Sequence, residues 1–267
     1  MSETLHTEKY FIVYLDLLGS KNRIMGEESE KWLNVINELY STALKYQKNL
    51  LNDVYTSEKS YVKIFSDNII LAVKVPEDPA SYSNALYFLS YFTSYFQTHA
   101  LTDHKWLVRG CLTAGDLYIN ENEIPVDDQI TKSSMIWGEA LVRAYECESN
   151  LAIYPRVIID KKLRIPENDE PVKKSDFIFP VLSGEDGLFS LDYLSIQIES
   201  DPKISPPELI EKARTSIASI RSEAAEDIKI LQKVAWTEKY IDEVSKSDLM
   251  KREDPKQSHV LYEDKDE

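Results

Sequence analysis

Residues 61–68 read YVKIFSDN, and this segment decides the fold. Its apolar and β-branched side chains, like those of the run IILAV that follows, are typical of pleated strands, because they fill a half-buried surface. The triplet SDN separates the two runs, and Asp and Asn favour tight turns since they bond their own backbone. The pattern predicts a β-hairpin over 61–75, with Lys63 in its first arm and Asp67 in or beside the turn.

A second acid, Asp16, stands near the end of the apolar run YFIVYLDLLG over residues 10–19. An ionised carboxylate without a partner is costly to bury, so Asp16 is expected to reach a strand end or to face a cation. Two strand-end acids can share a divalent ion, and Mg²⁺ suits them because it leaves positions for water and phosphates. The alternative is that Asp67 only caps a turn and that Asp16 is exposed.

Composition narrows the function. The chain has 267 residues, 43% of them hydrophobic, and a formal net charge of −15, which argues against a general nucleic-acid binder. A nucleotide site would therefore need local positive charge. No apolar run reaches the roughly 18 residues of a membrane span, and the polar start MSETLHTEKY is unlike a secretory signal, so we expect no membrane association and a cytoplasmic location.

Cysteine and histidine chemistry is not indicated. Cys111 and Cys147 lack a CxxC spacing, and the four histidines are scattered, so neither a zinc site nor a disulfide is expected. Cys111 lies in the run WLVRGCLTAG and is predicted to be a small core residue. No nucleophile elbow occurs either. Carboxylate and metal chemistry remains.

The order of predicted elements indicates an α+β, ferredoxin-like βαββαβ core, an antiparallel sheet with two helices on one face. In that arrangement the first strand and the hairpin are neighbours, so Asp16 and Asp67 should meet. The predicted elements are a strand at 10–16, a helix at 28–54, the hairpin, a helix at 81–98, strands at 106–114 and 116–119, a loop rich in Asp and Asn, a helix at 137–149 and a strand at 156–160.

Further elements follow this core. FIFPVL and GLFSLDYL are predicted to add strands to the sheet. A long apolar stripe predicts helices from 206 to about 246, which either cover the sheet or pair with a second chain. We therefore expect a catalytic domain at 1–195, a helical extension at 196–250 packed on the core or on a dimer partner, and a flexible charged tail at 251–267.

Four segments resemble the class III nucleotide cyclases, the family of adenylate and guanylate cyclase catalytic domains. FIVYLDLLGS and KIFSDNIIL resemble the two strands that carry the metal-binding aspartates of the family. VRGCLTAG is similar to its strand with an arginine and a terminal glycine, and IWGEALVRAYECES to its Trp-Gly helix motif. The four segments span roughly residues 10 to 160, in the family's order and spacing.

The resemblance implies a reaction and residue roles. Asp16 and Asp67, with the Leu17 carbonyl, would hold two Mg²⁺ or Mn²⁺ ions. The ribose 3′-oxygen would attack the α-phosphate and release pyrophosphate; one ion lowers the pKa of the hydroxyl and the other clamps the phosphates. Lys63 matches the position that reads the base. The resemblance also implies that Lys63 and Asp67 lie on the same strand face. The residues expected to bind substrate are Lys63, Arg109 and Ser66.

The helix motif departs from the family pattern. Met135 replaces an acid that selects adenine, so the base remains open among ATP, GTP, CTP and UTP. Val142 and Glu146 replace an Asn and an Arg that stabilise the transition state. We expect Arg143 to substitute as the catalytic cation. It follows Val142, the position of the family's Asn, and on a helix it therefore points about 100° away from that position. The remaining charges nearby are interpreted as solvated, namely Glu139, Glu146 and Glu148 on a helix face and Arg156 in a surface ion pair.

Three hypotheses follow. The first is a metal-dependent cyclase that converts a nucleoside triphosphate to a 3′,5′-cyclic nucleotide, with bacterial signalling or antiphage defence as its context by analogy. The second is an inactive nucleotide-binding sensor or dimeric interaction module. The third, a polymerase-like or diguanylate-cyclase palm, is disfavoured because no GG-[DE]-EF turn occurs at 66–68. Since family enzymes generally work as dimers, the resemblance also implies a homodimer.

Overall fold

The computed structural model describes residues 5–54, 60–126, 129–161, 163, 177, 179–224 and 227–251. The strands are β1 Glu8–Leu17, β2 Ser60–Phe65, β3 Asn68–Lys74, β4 Val108–Val126, β5 Gln129–Trp137, β6 Val157–Ile159, β7 Val181–Ser183 and β8 Phe189–Leu191. The helices are α1 Ser20–Ile24, α2 Ser29–Val54, α3 Pro79–His104, α4 Glu139–Leu151, α5 Tyr193–Ser200, α6 Pro206–Ala224 and α7 Ile228–Ser245, followed by a 3₁₀ turn at Asp248–Lys251.

One sheet organises the chain, with strand order β2-β3-β1-β4-β6-β8-β7. Strand β1 lies antiparallel to both β3 and β4, and β6 runs parallel to β4. The first four strands with α2 and α3 therefore form the ferredoxin-like βαββαβ arrangement, which confirms the predicted α+β class. The remaining strands and helices are additions to this core.

The two faces of β1 contact different helices, because successive side chains of a strand point to opposite faces. Phe11, Val13, Leu15 and Leu17 enter the main core, which includes residues of α2 and α3. On the opposite face, Tyr10 and Ile12 pack with Ala140 and Ala144 of α4. Asp16 has the same parity as Tyr10 and Ile12. Its side chain therefore belongs to the α4 face.

The C-terminal helices pack on the core. Helices α5, α6 and α7 share a hydrophobic cluster with Leu101 at the end of α3 and Leu107 just before β4. The apolar stripe thus covers the connection from α3 to β4 within the same chain. In the described parts of the chain, no helix combines the length and apolar composition that crossing a membrane requires.

Several boundaries differ from the sequence prediction. The loop rich in Asp and Asn is part of a long hairpin, in which the outer half of β4 pairs with β5 from Tyr118–Trp137 to Val126–Gln129. Strand pairing overrides the low β-propensity of its polar residues. The helices α1 and α5 were not predicted, and the C-terminal stripe is two helices. The predicted tail beyond Lys251 and the loop at 164–176 lie outside the described residues.

The cysteines correct another expectation. Cys111 on β4 and Cys147 on α4 form a disulfide, with a Cα–Cα distance of 5.8 Å across a sequence separation of 36. Both residues are buried, Cys111 completely. Their spacing in the sequence gave no sign of the bond, because it depends on the packing of α4 against β4. The bond fastens this helix to the strand that carries Arg109.

Candidate active site

Asp16, Arg109 and Glu148 meet where β1 ends and β4 begins. Asp16 is paired directly with Arg109 in the β1–β4 ladder. The Arg109 Nε donates a hydrogen bond of 2.9 Å to Asp16 Oδ2, and its Nη1 donates one of 3.3 Å to the Ala152 carbonyl. Glu148 Oε1 lies 2.7 Å from the same Nε. The guanidinium is therefore held between two carboxylates.

Glu148 is not on a solvated helix face, contrary to the sequence interpretation. It is 3% exposed, and burial raises its pKa; Arg109 opposes this shift, while the charges of Asp16 and Asp67 add to it. Oε1 is close enough to Nε for an ion pair, yet it accepts no hydrogen bond from a described residue, because the N–H of Nε is directed at Asp16. We regard the contact as Coulombic.

The helix period contained a signal for this position. Residues four apart lie on one face of a helix, so Ala140, Ala144 and Glu148 share a face of α4. The two alanines are completely buried against β1 and β4. A small–small–acid series at this spacing places the acid against the sheet. The crowding of several glutamates along α4 obscured that pattern.

Asp67 occupies the two-residue turn between β2 and β3, beside the end of β1. Its backbone carbonyl accepts a hydrogen bond of 3.1 Å from the Leu17 N–H. The Ser20 hydroxyl donates to Asp67 Oδ2, and the Asn68 side-chain amide donates to Oδ1 at 3.1 Å. The structure thus brings Asp67 next to the strand end that carries Asp16, as the predicted topology required.

The turn itself is held in an unusual backbone conformation. Ser66 has a φ of 56°, which is uncommon for a residue other than glycine. Its carbonyl accepts a hydrogen bond of 3.2 Å from the Tyr40 hydroxyl of α2. Ser66 is exposed, so its hydroxyl lies at the surface next to Asp67. The hairpin tip is therefore anchored to α2 while this serine remains accessible.

The charges of Asp16 and Asp67 both affect the pKa values of three neighbouring side chains. Burial raises the pKa of Tyr14 to about 12, and the charges of both Asp16 and Asp67 contribute to the shift. The same two charges raise the pKa of Tyr40 and of Glu148. Both carboxylates are therefore close enough to influence the same three side chains. A bound cation would offset their negative charges.

Lys63 lies on β2, two strands away from β1. It pairs with Ile70 of β3, which in turn pairs with Tyr14 of β1. Cross-strand partners point to the same face, so Lys63 shares the α4 face with Tyr14 and Asp16. Asp67 is in the turn rather than on the strand, so the expectation of a common strand face for Lys63 and Asp67 does not describe the geometry.

Arg143 is the predicted site residue that the structure does not bring to the aspartates. Its Nη1 donates a hydrogen bond of 2.9 Å to the Ala114 carbonyl, and its Nη2 pairs with Glu139. Ala114 is five residues beyond Arg109 on β4, about 16 Å along the strand. Arg143 is thus bound at a distant part of the sheet. Arg143 lies five residues before Glu148 on α4, so it meets β4 further along the strand.

Two glycines near the site meet backbone requirements that other residues would not, one a positive φ and the other a close approach of strands. Gly19 ends the connection from β1 to α1 with a φ of 80°, a region that favours glycine. Gly110 follows Arg109, and a Cβ there would lie 2.4 Å from the Tyr14 carbonyl oxygen. The close contact of β4 with β1 therefore requires glycine, and it fixes the strand position next to Arg109.

Arg156 corrects a smaller expectation. It was interpreted as a surface ion-pair residue, but it is 3% exposed. It pairs with Asp186. Burial by itself would raise the pKa of the Asp186 carboxyl, but the hydrogen bonds from Arg156 and from the Leu188 N–H hold that pKa below its usual range. A charged residue with so little exposure requires such a partner. This pair lies along the wall of a cavity that Arg109 also borders.

Sequence reasoning also missed the lysines of α7. Lys229 and Lys233 border two cavities, one of about 600 Å³ beside Leu18 and Gly19 and one of about 1000 Å³ beside Arg109. Burial lowers the pKa of Lys233, the nearby charge of Arg109 lowers it further, and Asp16 opposes the shift. The C-terminal helices therefore contribute to the surroundings of the candidate site.

Comparisons with known proteins give neighbours only at the level of structure. No family model matches the sequence, and no curated protein matches it. The catalytic core of a rhodopsin-guanylyl cyclase with converted specificity, solved with ATPαS, is 12% identical with a TM-score of 0.47, covering 72% of this chain and 99% of that one. The guanylate cyclase domain from Catenaria anguillulae, solved with GTP, is 13% identical with a TM-score of 0.46, covering 68% and 93%.

A third neighbour is described as a class III adenylyl cyclase-like ATP-binding protein from Pseudomonas aeruginosa. It is 9% identical with a TM-score of 0.45, and the match covers 73% of this chain and 41% of that one. All three neighbours are described as cyclase catalytic domains or as cyclase-like. At such identities the likeness concerns the fold, and the chemistry has to be argued from the residues of the site.

Proposed function

We propose that the protein binds a nucleoside triphosphate with divalent cations where Asp16, Asp67 and Arg109 meet, and converts it to a 3′,5′-cyclic nucleotide and pyrophosphate. One observation carries the proposal. Two carboxylates and an arginine converge at the ends of adjacent strands whose other residues are largely apolar. Such a concentration of charge is unfavourable for stability alone, and it suits the recognition of a metal-bound phosphate chain.

The donor set fits magnesium or manganese. Carboxylate oxygens and a backbone carbonyl are hard ligands of the kind that both ions prefer. Asp16, Asp67 and the Leu17 carbonyl would hold them. Among the described residues no group of three or more acidic, histidine or cysteine side chains forms a metal cage. The remaining ligands would therefore come from water and substrate phosphates, so the ions and the nucleotide should bind together.

The residues of the chain have distinct roles in this proposal. Arg109 borders the larger cavity, where its guanidinium binds phosphate oxygens while Asp16 and Glu148 fix its orientation. Lys63 contacts the base from the α4 face of the sheet, and Ser66 binds substrate from the hairpin tip. Bound ions would acidify the ribose 3′-hydroxyl and neutralise the leaving pyrophosphate. The Asp67 carboxylate is positioned for this by Ser20 and Asn68.

The test is a product assay with purified protein and each of ATP, GTP, CTP and UTP in Mn²⁺, resolving cyclic mononucleotides. We expect one cyclic product from the wild type. Asp16→Asn and Asp67→Asn should each reduce its rate on the order of a hundredfold or more, because both remove a metal ligand without a large change in shape. Asp116→Asn is the matched control, since Asp116 lies on β4 in an exposed pair with Lys9.

The outcomes separate the hypotheses. A cyclic product that survives in both aspartate variants would place the chemistry elsewhere. No product, together with metal-dependent nucleotide binding, would replace the cyclase with the second candidate, a nucleotide-binding sensor. One observation favours that candidate: α4 exposes Val142 and Glu146, which cannot donate to a phosphate, at the positions where the resemblance has Asn and Arg. No binding of any of the four nucleotides would exclude both.

We also propose that the protein is a homodimer. The outer face of α4 and the last residue of β5 expose apolar side chains, Val142 at 56%, Tyr145 at 53% and Trp137 at 65%. Val142 and Tyr145 are three residues apart and therefore adjacent on the helix surface. A second copy of the chain would cover them. Sedimentation of the purified protein as a monomer at micromolar concentration would contradict this assignment.

A further inference from the structure

Lys229 and Lys233 stand between the two cavities at the end of the sheet. They are four residues apart on α7, so their side chains lie on the same side of the helix. Each borders both cavities. The smaller cavity is also lined by Leu18 and Gly19, at the end of β1, and the larger by Arg109. The two lysines therefore face the strand ends that carry the candidate site.

The packing of α7 fixes this orientation. Asp227 caps the helix, because its Oδ1 accepts hydrogen bonds from the backbone N–H groups of Lys229 and Ile230 at 3.0 and 3.2 Å. On the buried side, Val234 and Tyr240 belong to the cluster shared with α5 and α6. The Tyr240 hydroxyl donates to Asp192 at 2.6 Å. The helix is thus anchored at its start and along its apolar face.

The lysines extend the positive charge of Arg109. Among the described residues, neither lysine forms an ion pair with a carboxylate. Burial disfavours the charged form of the half-buried Lys233, and the charges of Arg109 and Lys229 add to this effect, while those of Asp16 and Asp227 oppose it. The chain as a whole has a formal net charge of −15. Arg109, Lys229 and Lys233 nevertheless border one cavity, which Arg156 and Lys239 line as well, beside the acids Glu185, Asp186 and Glu243. The cations there repel one another. Such repulsion is relieved when a multivalent anion binds.

We propose that Lys229 and Lys233 bind the β- and γ-phosphates of the nucleoside triphosphate, in the same chain as Arg109. This inference rests on the proposed function and extends its binding site to α7, a helix outside the segments that resemble the family. Lysine ammonium groups bind phosphate oxygens as point charges. They supply positive charge that Val142 and Glu146 of α4 do not provide. The triphosphate would then lie between the strand ends and α7.

The probe is inorganic tripolyphosphate, which carries the phosphate chain without a base. We would titrate it calorimetrically, with Mg²⁺ present, into the wild type, Lys229→Gln/Lys233→Gln and Lys212→Gln/Lys246→Gln. The last variant removes the same charge from α6 and from the end of α7, at positions that line neither cavity. We expect the first variant to bind on the order of tenfold more weakly and the control to change less than about twofold.

Two further measurements make the result specific. Nucleoside monophosphate affinity should change less than about twofold in Lys229→Gln/Lys233→Gln, because the monophosphate lacks the β- and γ-phosphates. Lys229→Arg/Lys233→Arg should bind tripolyphosphate within about threefold of the wild type, because it keeps both charges. A thermal melt of each variant checks that the fold is intact, and both lysines are exposed enough for substitution.

The outcomes distinguish a failure of the α7 phosphate-binding role from a failure of the proposed cyclase function. Equal tripolyphosphate affinity in the wild type and in Lys229→Gln/Lys233→Gln overturns the role of α7 and leaves the proposed function standing. A control that weakens as much as the test variant overturns it too, because the effect would then be long-range. A wild type that binds neither tripolyphosphate nor any of the four nucleoside triphosphates refutes the proposed function itself.

Discussion

Helices α4 and α7 border the same end of the sheet, yet they bring opposite charges to it. α4 places Glu148 against Arg109 and is fastened to β4 by the disulfide. α7 places Lys229 and Lys233 around the cavities that Arg109 and the end of β1 border. The comparison separates two tasks. The acidic side fixes the position of the arginine, and the basic side adds charge that an anion can use.

Among the substitutions that test this difference between α4 and α7, Arg109→Met should have the largest effect on stability. The substitution removes the cation between Asp16 and Glu148, and it leaves Glu148, which is 3% exposed, without its counter-charge. We expect a loss of about 3 kcal/mol in the free energy of unfolding, the range for breaking a buried ion pair. Urea denaturation measures it.

The matching double variant is Arg109→Met/Glu148→Gln. It removes the stranded charge as well, so it should recover roughly half of the lost stability. A double variant as unstable as Arg109→Met would mean that Glu148 is already neutral in the wild type or that packing dominates the loss. Glu148 of α4 would then act on Arg109 through packing and not through its charge.

A second, smaller effect concerns the pH dependence of Glu148. Its folded-state pKa is raised above the ordinary 4.5, so its contribution to stability is present below that pH and is lost as pH rises through the raised value. Glu148→Gln lacks this loss. We therefore expect the stability of Glu148→Gln relative to the wild type to increase as pH rises from about 4 to about 8.

Urea denaturation across this pH range, with a chelator to keep divalent ions out, measures the difference. Glu139→Gln serves as the control, because Glu139 is exposed at the start of the same helix and pairs with Arg143. A constant difference between Glu148→Gln and the wild type at every pH would contradict the raised pKa. Added Mg²⁺ should reduce the effect if it binds Asp16 and Asp67, whose charges contribute to the shift.

The smallest effect is expected from Arg143→Met. Its guanidinium is bound to the Ala114 carbonyl and to Glu139, away from the aspartates. The rate of product formation should change less than about twofold, and stability should fall by about 0.5 kcal/mol, as for a partly exposed pair. Steady-state assays beside Asp16→Asn measure the rate. A loss as large as that of Asp16→Asn would move the catalytic cation back to α4.

The fold core could be predicted because its signals are local. The apolar, β-branched runs on either side of Asp67 and the polar triplet SDN between them define the hairpin, and the βαββαβ order then brings Asp67 beside Asp16. The β4–β5 hairpin escaped prediction because its polar residues resemble a loop. Their strand conformation comes from pairing between residues that are not adjacent in sequence, such as Tyr118 and Trp137.

The site could be predicted only in part, for the same physical reason. The predicted topology makes the end of β1 and the hairpin tip neighbours, so the meeting of Asp16 and Asp67 could be predicted, whereas Arg109 was indicated only by the family resemblance and its pairing with Asp16 depends on the register of β1 and β4. Glu148 required the inward face of α4 to be known, and Lys233 required the packing of α7 against the core. A charged residue in an amphipathic helix gives no sign of which neighbour it faces until that helix is docked.

The Cys111–Cys147 bond also changes what a cut in the chain would do. It closes a covalent ring that contains nearly all of β4, all of β5 and most of α4. A single proteolytic nick in that hairpin opens the ring without releasing a fragment. The nicked protein would migrate as one species on a non-reducing gel and as two pieces after the bond is reduced.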